Sequence, residues 1–247
     1  MAVGELLRQR WDAPAEVRHK GAVDLITDAD LAAEALAVRM LTEATPTYGI
    51  IAEESAPAPG TTSACWYVDP LDGTTNFAHR FPHVAVSIAL VRDGMSEVGV
   101  VYDPLRRELF SAVRGRGAHL NGRPMHVSAT ATLNDALLAT GFAYDRRERA
   151  AFYLRHFQHF MVRSQGLRRV GSAALDLSYV AAGRLDAFWE WNLRSWDTAA
   201  GRILVAEAGG SVSDCSGSPH QLTGPHILAS NGALHAVLVK EFATLLV

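Results

Sequence analysis

The chain has 247 residues, enough for one large domain or for two packed layers with a sizeable core. Apolar residues make up 49% and charged residues 20%, as in ordinary globular proteins, and the formal net charge of -3 argues against a nucleic-acid or anionic-membrane surface. Two cysteines without a C-x-x-C pair, no bilayer-length apolar run and no secretory signal predict a cytoplasmic protein without a zinc or thioredoxin-type site.

The N-terminal half begins with helical segments and continues as strands. A first short helix is followed by a second over residues 27–45, for which Thr27 and Asp30 have the spacing of a capping box. Short apolar runs at 49–52 and 65–68 predict buried strands. An antiparallel meander is predicted next, because turn signals at Asp93-Gly94, Asp103-Pro104 and Asn121-Gly122 separate strands at 84–91, 97–102, 108–113 and 125–127.

In the C-terminal half, strands alternate with helices, which is typical of an α/β layer. Ser195 is expected to be the N-cap of one of these helices. We therefore expect two layers packed as one unit: an α+β layer over 1–135 and an α/β layer over 136–247. The predicted strands are 137–140, 185–189 and one near 227, and the predicted helices are 147–162, 172–182, 195–208 and one from 231 onward.

Acidic residues cluster where predicted strands end. Glu53 follows the first buried strand, while Asp69 and Asp72 follow the second in a loop that Pro70 and Gly73 force to turn. Like charges this close are unfavourable without a cation, and hard cations such as Mg²⁺ bind oxygen ligands. This spacing favours a divalent-cation site, although on spacing alone calcium binding and plain turn structure stay open.

A second ingredient follows directly in Gly73-Thr74-Thr75. A glycine followed by hydroxyl residues at a helix start presents free backbone N–H groups, which favour an anion such as phosphate. Acids for a metal beside amides for a phosphate indicate a phosphoryl-transfer site.

Five motifs, in order along residues 20–232, together resemble the inositol monophosphatase family. They are Lys20-Gly21 with Asp24-Leu25-Ile26-Thr27-Asp28-Ala29-Asp30, Ala52-Glu53-Glu54-Ser55, Asp69-Pro70-Leu71-Asp72-Gly73-Thr74-Thr75-Asn76-Phe77, Arg168-Arg169-Val170-Gly171-Ser172-Ala173-Ala174-Leu175, and Trp196-Asp197-Thr198-Ala199-Ala200-Gly201 with Glu207-Ala208-Gly209-Gly210.

The resemblance implies a layered αβαβα sandwich, a homodimer, inhibition by lithium and two or three Mg²⁺ ions at each site. It assigns the metal ligands to Glu53, Asp69, the carbonyl of Leu71, Asp72 and Asp197. It assigns catalysis to Glu53 with Thr74 and Asp30, the last two positioning the attacking water. Substrate-binding positions are Asp72, the N–H groups of Gly73 and Thr74, Gly171, Ala173, Glu190 and Asp197.

The implied reaction is Mg²⁺-dependent hydrolysis of a small polyol phosphate monoester, with inositol monophosphate as the first choice. We expect Glu190 to accept hydrogen bonds from the polyol, with Trp189 and Trp191 shaping the wall beside it. Related enzymes leave three rivals open: fructose-1,6-bisphosphate, histidinol phosphate and 3′-phosphoadenosine phosphate. A non-catalytic regulatory protein on the same fold is the alternative from another class.

Other candidate residues are interpreted as structural. His79 and His83 flank the acidic loop and are expected at its rim or in a structural role. His156 and His159 have an i, i+3 spacing that can bind zinc, but a solvated helix face is the preferred interpretation. Ser172 is expected to cap a helix rather than to act as a nucleophile.

Overall fold

The computed structural model describes residues 1–13, 16–21 and 24–245. Its first elements are α1 (Ala2–Arg10), the strand pair β1 (Val17–His19) and β2 (Leu25–Thr27), and α2 (Asp28–Ala44). The predicted capping box is confirmed: the Thr27 hydroxyl accepts from the amides of Ala29 and Asp30, and the Asp30 carboxylate accepts from the amide of Thr27. Helix α2 therefore begins at a fixed position, which also fixes the side chain of Asp30.

The predicted meander is confirmed as part of a seven-stranded sheet. Its first two strands are parallel and every later pair is antiparallel. The sequence analysis missed one short strand, which the Asn121-Gly122 turn joins to the last. In sheet order the strands are β3 (Gly49–Ala52), β4 (Ala64–Asp72), β5 (Ala85–Arg92), β6 (Met95–Asp103), β7 (Glu108–Val113), β8 (Ala118–Leu120) and β9 (Arg123–Met125), with α3 (Thr74–Ala78) between β4 and β5.

A second sheet of five strands follows in the order β11-β10-β12-β14-β13. Its strand β10 is parallel to both neighbours, whereas β14 is antiparallel to both of its own. In chain order this half contains β10 (Leu137–Thr140), α4 (Ala150–Met161), β11 (Gly166–Arg168), α5 (Ala173–Ala181), β12 (Ala187–Trp191), α6 (Ser195–Glu207), β13 (Ser211–Ser213), β14 (His226–Ser230) and α7 (His235–Ala243).

The predicted N-cap of α6 is wrong by one residue. Arg194 is the N-cap and Ser195 is the first helical residue. The reason is the carboxylate of Asp197, which accepts a hydrogen bond from the Arg194 amide at 2.7 Å and so satisfies one of the free donors at the helix start.

Three hydrophobic clusters give the predicted αβαβα order. Helices α1 and α2 cover the outer face of the first sheet through residues such as Leu7 and Ala33. Helices α5 and α6 lie between the sheets, where Leu177 and Leu204 share a cluster with Phe110 and Phe188. Helices α4 and α7 cover the outer face of the second sheet. None of the described helices is long and apolar enough to cross a membrane.

Two glycines allow the middle helices to approach closely. A Cβ at Gly99 on β6 would lie 2.5 Å from Cγ2 of Ile203 on α6, and one at Gly201 on α6 would lie 2.4 Å from Cδ1 of Leu177 on α5. Side chains do not tolerate such distances, so these positions require glycine. The N-terminal ends of α5 and α6 are consequently held near each other, beside the end of β4.

Candidate active site

A cavity of about 560 Å³ lies where β3 and β4 end and where α3, α5 and α6 begin. Its lining brings together residues that are far apart in the sequence and come from both sheets and from the helices between them. Of the predicted site residues, those lining the cavity are Glu53, Asp69, Leu71, Asp72, Gly73, Thr74, Gly171, Ala173, Glu190 and Asp197, while Asp30 lies behind Thr74 and is hydrogen-bonded to it.

The segment of Asp69 and Asp72 is a bulge in β4 rather than the predicted loop. Asp69 pairs with Ser87 and Asp72 with Ala85, so β4 uses three residue steps where β5 uses two. In a regular strand, residues i and i+3 point to opposite faces. The extra residue reverses that alternation and allows both carboxylates to face the cavity. Asp69 also accepts from the amide of Leu71 at 3.0 Å, which stabilises the bulge.

Thr74, half-buried at the start of α3, pairs with the buried Asp30 of α2. The Thr74 Oγ1 lies 2.8 Å from Oδ1 of Asp30 and 3.1 Å from the carbonyl oxygen of Leu71. The other oxygen of Asp30 accepts from the amide of Thr27 at 2.8 Å. Because Asp30 is fully buried and held from both sides, the hydroxyl of Thr74 has a fixed direction.

Asp72 connects the end of β4 to the start of α5. Its Oδ2 accepts hydrogen bonds from the Ser172 hydroxyl at 2.6 Å and from the Ala174 amide at 2.7 Å. Ser172 also caps α5, since its oxygen accepts from the Leu175 amide, as the sequence analysis predicted for it. The carboxylate thus lies at a helix N-terminus, where the helix dipole favours negative charge.

Glu53 is paired with Lys20, the first residue of the first family motif, for which no role was predicted. The ammonium of Lys20 lies 3.1 Å from Oε1 of Glu53 and also contacts the carboxylate of Glu54. Burial nevertheless raises the pKa of Glu53 to about 7, because Lys20 offsets only part of the desolvation and Glu54 adds repulsion.

The carboxylates at this end of the cavity repel one another. Burial raises the pKa of Asp69 well above its usual value, and the charges of Glu53, Asp72 and Asp197 raise it further. Asp197 behaves in the same way, through burial and then Asp72 and Glu53. The pKa of Asp72 rises to about 6 through burial, although its hydrogen bonds to Ser172 and Ala174 oppose the shift. Such a group is favourable only with compensating positive charge.

This donor set fits a hard divalent cation, because such ions prefer several carboxylate and carbonyl oxygens around an open cavity. In the part of the chain that the structure describes, no three His, Cys, Asp or Glu side chains already stand as a metal-coordinating group. One oxygen of Glu53 is engaged by Lys20, and one of Asp197 by the Arg194 amide. The second oxygens, Oε2 of Glu53 and Oδ1 of Asp197, accept no hydrogen bond from the described residues and are therefore available to a cation.

Glu190 lies on the opposite wall, in β12. It is only 8% exposed, and burial raises its pKa to about 8, with Arg169 lowering it and Asp72 raising it. The expectation for its aromatic neighbours is half right. Trp191 lines the cavity, but Trp189 packs against Phe160 in the core cluster under α4 and α7. Strand alternation places both tryptophans on the face opposite Glu190, in the same core cluster, and Trp191 borders the cavity from the end of β12.

Two neighbours of the site were missed by sequence reasoning. Asn76 holds the α3 segment to the second layer, since its amide nitrogen lies 2.8 Å from the His83 carbonyl oxygen and 3.0 Å from that of Val170. Asp176 of α5 is 1% exposed, and its Oδ1 has no hydrogen-bond partner among the described residues. Asn76 stands inside a quoted motif, but nothing in the sequence marks Asp176 as different from a helix-surface acid.

Of the four histidines considered above, His79 is exposed and the other three have structural surroundings. His83 is 3% exposed and packs edge-on against Tyr179, which is a core position rather than a rim. His156 is fully buried against Phe152 and Trp191, so the expectation of a solvated helix face is wrong for it. His159 is bonded to Glu241 at 2.6 Å. The two helical histidines therefore have separate surroundings.

Comparison with known proteins gives consistent results. A model of the inositol monophosphatase family matches residues 1–246. An inositol-1-monophosphatase of Synechocystis sp. is 45% identical over 245 residues, covering 98% of this chain and 85% of the relative. The Nus factor SuhB of Escherichia coli K12 is 46% identical over 231 residues, covering 92% of this chain and 86% of the relative.

Solved structures agree with this assignment. An inositol monophosphatase from Anabaena (Nostoc) superposes with a TM-score of 0.90 at 41% identity, covering 98% of this chain and 91% of that chain. An IMPase/NADP phosphatase complexed with Mg²⁺ and phosphate superposes with a TM-score of 0.84 at 25% identity, covering 97% and 90%. The family and the layered fold expected from the motifs are thereby confirmed. The chain belongs to the inositol monophosphatase family and is a phosphatase.

Proposed function

We propose that this chain hydrolyses the phosphate monoester of a small polyol, inositol monophosphate first, in a Mg²⁺-dependent reaction. The observation that carries the proposal is the convergence of four mutually repelling carboxylates on one cavity, Asp69 buried and the others half-buried, beside the fixed hydroxyl of Thr74. This arrangement offers oxygen ligands for cations and a positioned group for water in the same place. It matches phosphoryl transfer better than any reaction that uses a protein nucleophile.

The residues that would hold two or three Mg²⁺ ions are Glu53, Asp69, Asp72, Asp197 and the carbonyl of Leu71. Bound Mg²⁺ would lower the pKa of water and neutralise charge on the phosphoryl group. The Mg²⁺ in the related IMPase/NADP phosphatase structure supports this choice of ion.

Thr74 and Asp30 orient the attacking water in this proposal. Because the Thr74 hydroxyl donates its hydrogen bond to Asp30, the Thr74 oxygen can accept a hydrogen bond from water. Glu53, which closes the same end of the cavity, completes the catalytic group. The oxygen of Ser172 accepts from the Leu175 amide as the N-cap of α5 and its hydroxyl donates to Asp72, so both hydrogen-bonding functions serve the fold, and no covalent intermediate is proposed.

The substrate would lie across the cavity between the two walls. Gly73 has a φ of 96°, and its backbone N–H and that of Thr74 stand at the start of α3, where helical amides have no intrahelical partner. They would bind the phosphate. Across the cavity Glu190, Gly171 and Ala173 would face the polyol hydroxyls.

We also propose that the chain forms two layers packed as one unit, with their boundary near residue 135. Residues 1–135 would carry most of the metal ligands, and residues 136–247 would form the substrate wall. Hydrogen bonds across the division support this, namely Asp72 with Ser172 and Asn76 with the Val170 carbonyl. A homodimer and lithium inhibition are proposed from the family. A cytoplasmic location is also proposed, and the free thiols of both cysteines are consistent with a reducing compartment.

Phosphate release tests the proposal directly. The purified chain is assayed with inositol 1-phosphate, fructose-1,6-bisphosphate, histidinol phosphate and 3′-phosphoadenosine phosphate, in Mg²⁺ and in EDTA. We expect the highest kcat/KM for inositol 1-phosphate and no turnover in EDTA. Full activity in EDTA would overturn the metal assignment. A folded protein that releases phosphate from none of these esters would favour a regulatory role.

A further inference from the structure

The carboxylate of Glu190 rests directly on the backbone of Gly141. A Cβ built at Gly141 would lie 2.0 Å from Oε2, 2.1 Å from Cδ and 2.1 Å from Oε1 of Glu190. The three nearest atoms thus all belong to one carboxylate, and each is far inside van der Waals contact. Any residue other than glycine at position 141 would therefore collide with the Glu190 side chain in its observed position.

The sheet explains why these two residues meet. Thr140 at the end of β10 pairs with Trp189 of the parallel strand β12, so the next residue along each strand is Gly141 and Glu190. Gly141 itself is buried, and it is not among the described residues with positive φ. The backbone conformation therefore does not require glycine at this position. The requirement comes from Glu190, which occupies the space that a Cβ would need.

We propose that Gly141 is a specificity-determining residue, which seats the Glu190 carboxylate in the wall where it can meet a hydroxyl-rich leaving group; this inference rests on the proposed function. Gly141 acts through Glu190 and is a positioning residue. A side chain at 141 would push the carboxylate out of its seat and into the cavity, where it would no longer meet the polyol in the same place.

The chemistry would be affected less than the selectivity. Glu53, Asp69 and Asp72 come from the first sheet and its edges, and Asp197 from α6, so none depends on the contact between 141 and 190. The clash also involves the far end of a flexible side chain rather than backbone, which rotation about the Glu190 side-chain bonds can relieve. Gly141→Ala is accordingly expected to fold.

A double-mutant cycle tests this coupling. Gly141→Ala, Glu190→Ala and the double variant are compared by kcat/KM on inositol 1-phosphate and on p-nitrophenyl phosphate, which lacks the polyol hydroxyls. In Gly141→Ala the ratio of inositol 1-phosphate to p-nitrophenyl phosphate should fall by roughly tenfold, as for the loss of one charged hydrogen bond. In the Glu190→Ala background the same substitution should leave the ratio unchanged.

A matched control and a second measurement separate the possible failures. Gly166→Ala, on the adjacent strand β11, places its Cβ no closer than 3.2 Å to Leu137 Cδ1 and should not change the ratio. Thermal unfolding of the four cycle members should show a loss in Gly141→Ala that disappears when Glu190 is absent. Equal effects of Gly141→Ala in both backgrounds would overturn this inference alone. A preference of the unmodified enzyme for another ester would instead overturn the proposed function.

Discussion

The acidic end of the cavity and the wall that carries Glu190 are assembled in different ways. At the acidic end, Asp69, Asp72 and Thr74 come from one short stretch of chain, and a strand bulge followed by the start of α3 is enough to bring them together. At the wall, Glu190 depends on Gly141 from another strand. Asp30, Glu53 and Asp197 join the acidic end from other segments, but its centre is local, whereas the proposed substrate wall depends on the packing of two strands. The proposed chemistry and the proposed substrate selection should therefore respond separately to mutation.

The largest expected effect is at the acidic end. Asp69→Asn should lower kcat/KM for every phosphate ester by about 10²–10³-fold, the usual cost of losing one preorganised electrostatic group. The protein should stay folded, because the change also removes repulsion among Glu53, Asp72 and Asp197. Steady-state kinetics and thermal unfolding measure the two effects. An Asp69→Asn variant with unchanged kcat/KM would contradict the metal assignment.

Thr74→Ala should lower kcat by about 10²-fold, because the attacking water would no longer be correctly oriented. The affinity for Mg²⁺ should be unchanged, because the Thr74 side chain is not a proposed metal ligand. Thr74→Ser, which retains a hydroxyl for Asp30, is the matched control and should keep most of the activity. If kcat stays constant and KM rises instead, Thr74 contributes only to substrate binding.

The pH dependence of substrate selectivity should distinguish the role of the wall from that of the acidic end. Glu190 has a pKa of about 8, and only its ionised form accepts hydrogen bonds with both oxygens. The ratio of kcat/KM between inositol 1-phosphate and p-nitrophenyl phosphate should therefore rise about tenfold from pH 7 to pH 9, following the ionised fraction. Effects common to both substrates cancel in the ratio. A flat ratio would mean that the charge of Glu190 does not select the polyol.

The smallest effect concerns Asp176 and stability. Burial raises its folded pKa above the unfolded value of 3.8, so the folded state holds the proton to higher pH. Its contribution to stability is therefore lost as pH rises from the unfolded pKa through the folded one. Asp176→Asn should remove that loss and increase the free energy of unfolding by about 1 kcal/mol at pH 8, with a smaller increase at pH 5. Thermal unfolding at both pH values checks this, and a gain that shrinks with rising pH would contradict it.

How far the sequence predicted the molecule follows from the same contrast. The Thr27 capping box and the meander turns are local patterns, and both are confirmed. The bulge at Asp69 was predicted as a loop, because Pro70 and Gly73 indicate a turn whether or not the strand continues. The roles proposed for the site residues remain predictions that the experiments above address.

Other features depended on contacts between distant segments. His156 was expected on a solvated face, but the aromatic cluster around Trp191 and Phe242 covers it. The burial of Trp189, the orphan oxygen of Asp176 and the contact of Gly141 with Glu190 are likewise set by which elements pack together. Periodicity within one segment carries no information on such pairings.

The central claim is that one end of the cavity performs the chemistry and the other selects the substrate, and Glu190→Gln tests it most directly. This variant keeps the size of the side chain and removes its charge. At pH 9, where Glu190 is mostly ionised, we predict that kcat/KM for inositol 1-phosphate falls by a factor equivalent to about 1–3 kcal/mol of transition-state stabilisation, while hydrolysis of p-nitrophenyl phosphate barely changes. Equal losses on both substrates would contradict the claim and would mean that Glu190 supports the metal site or stabilises the fold.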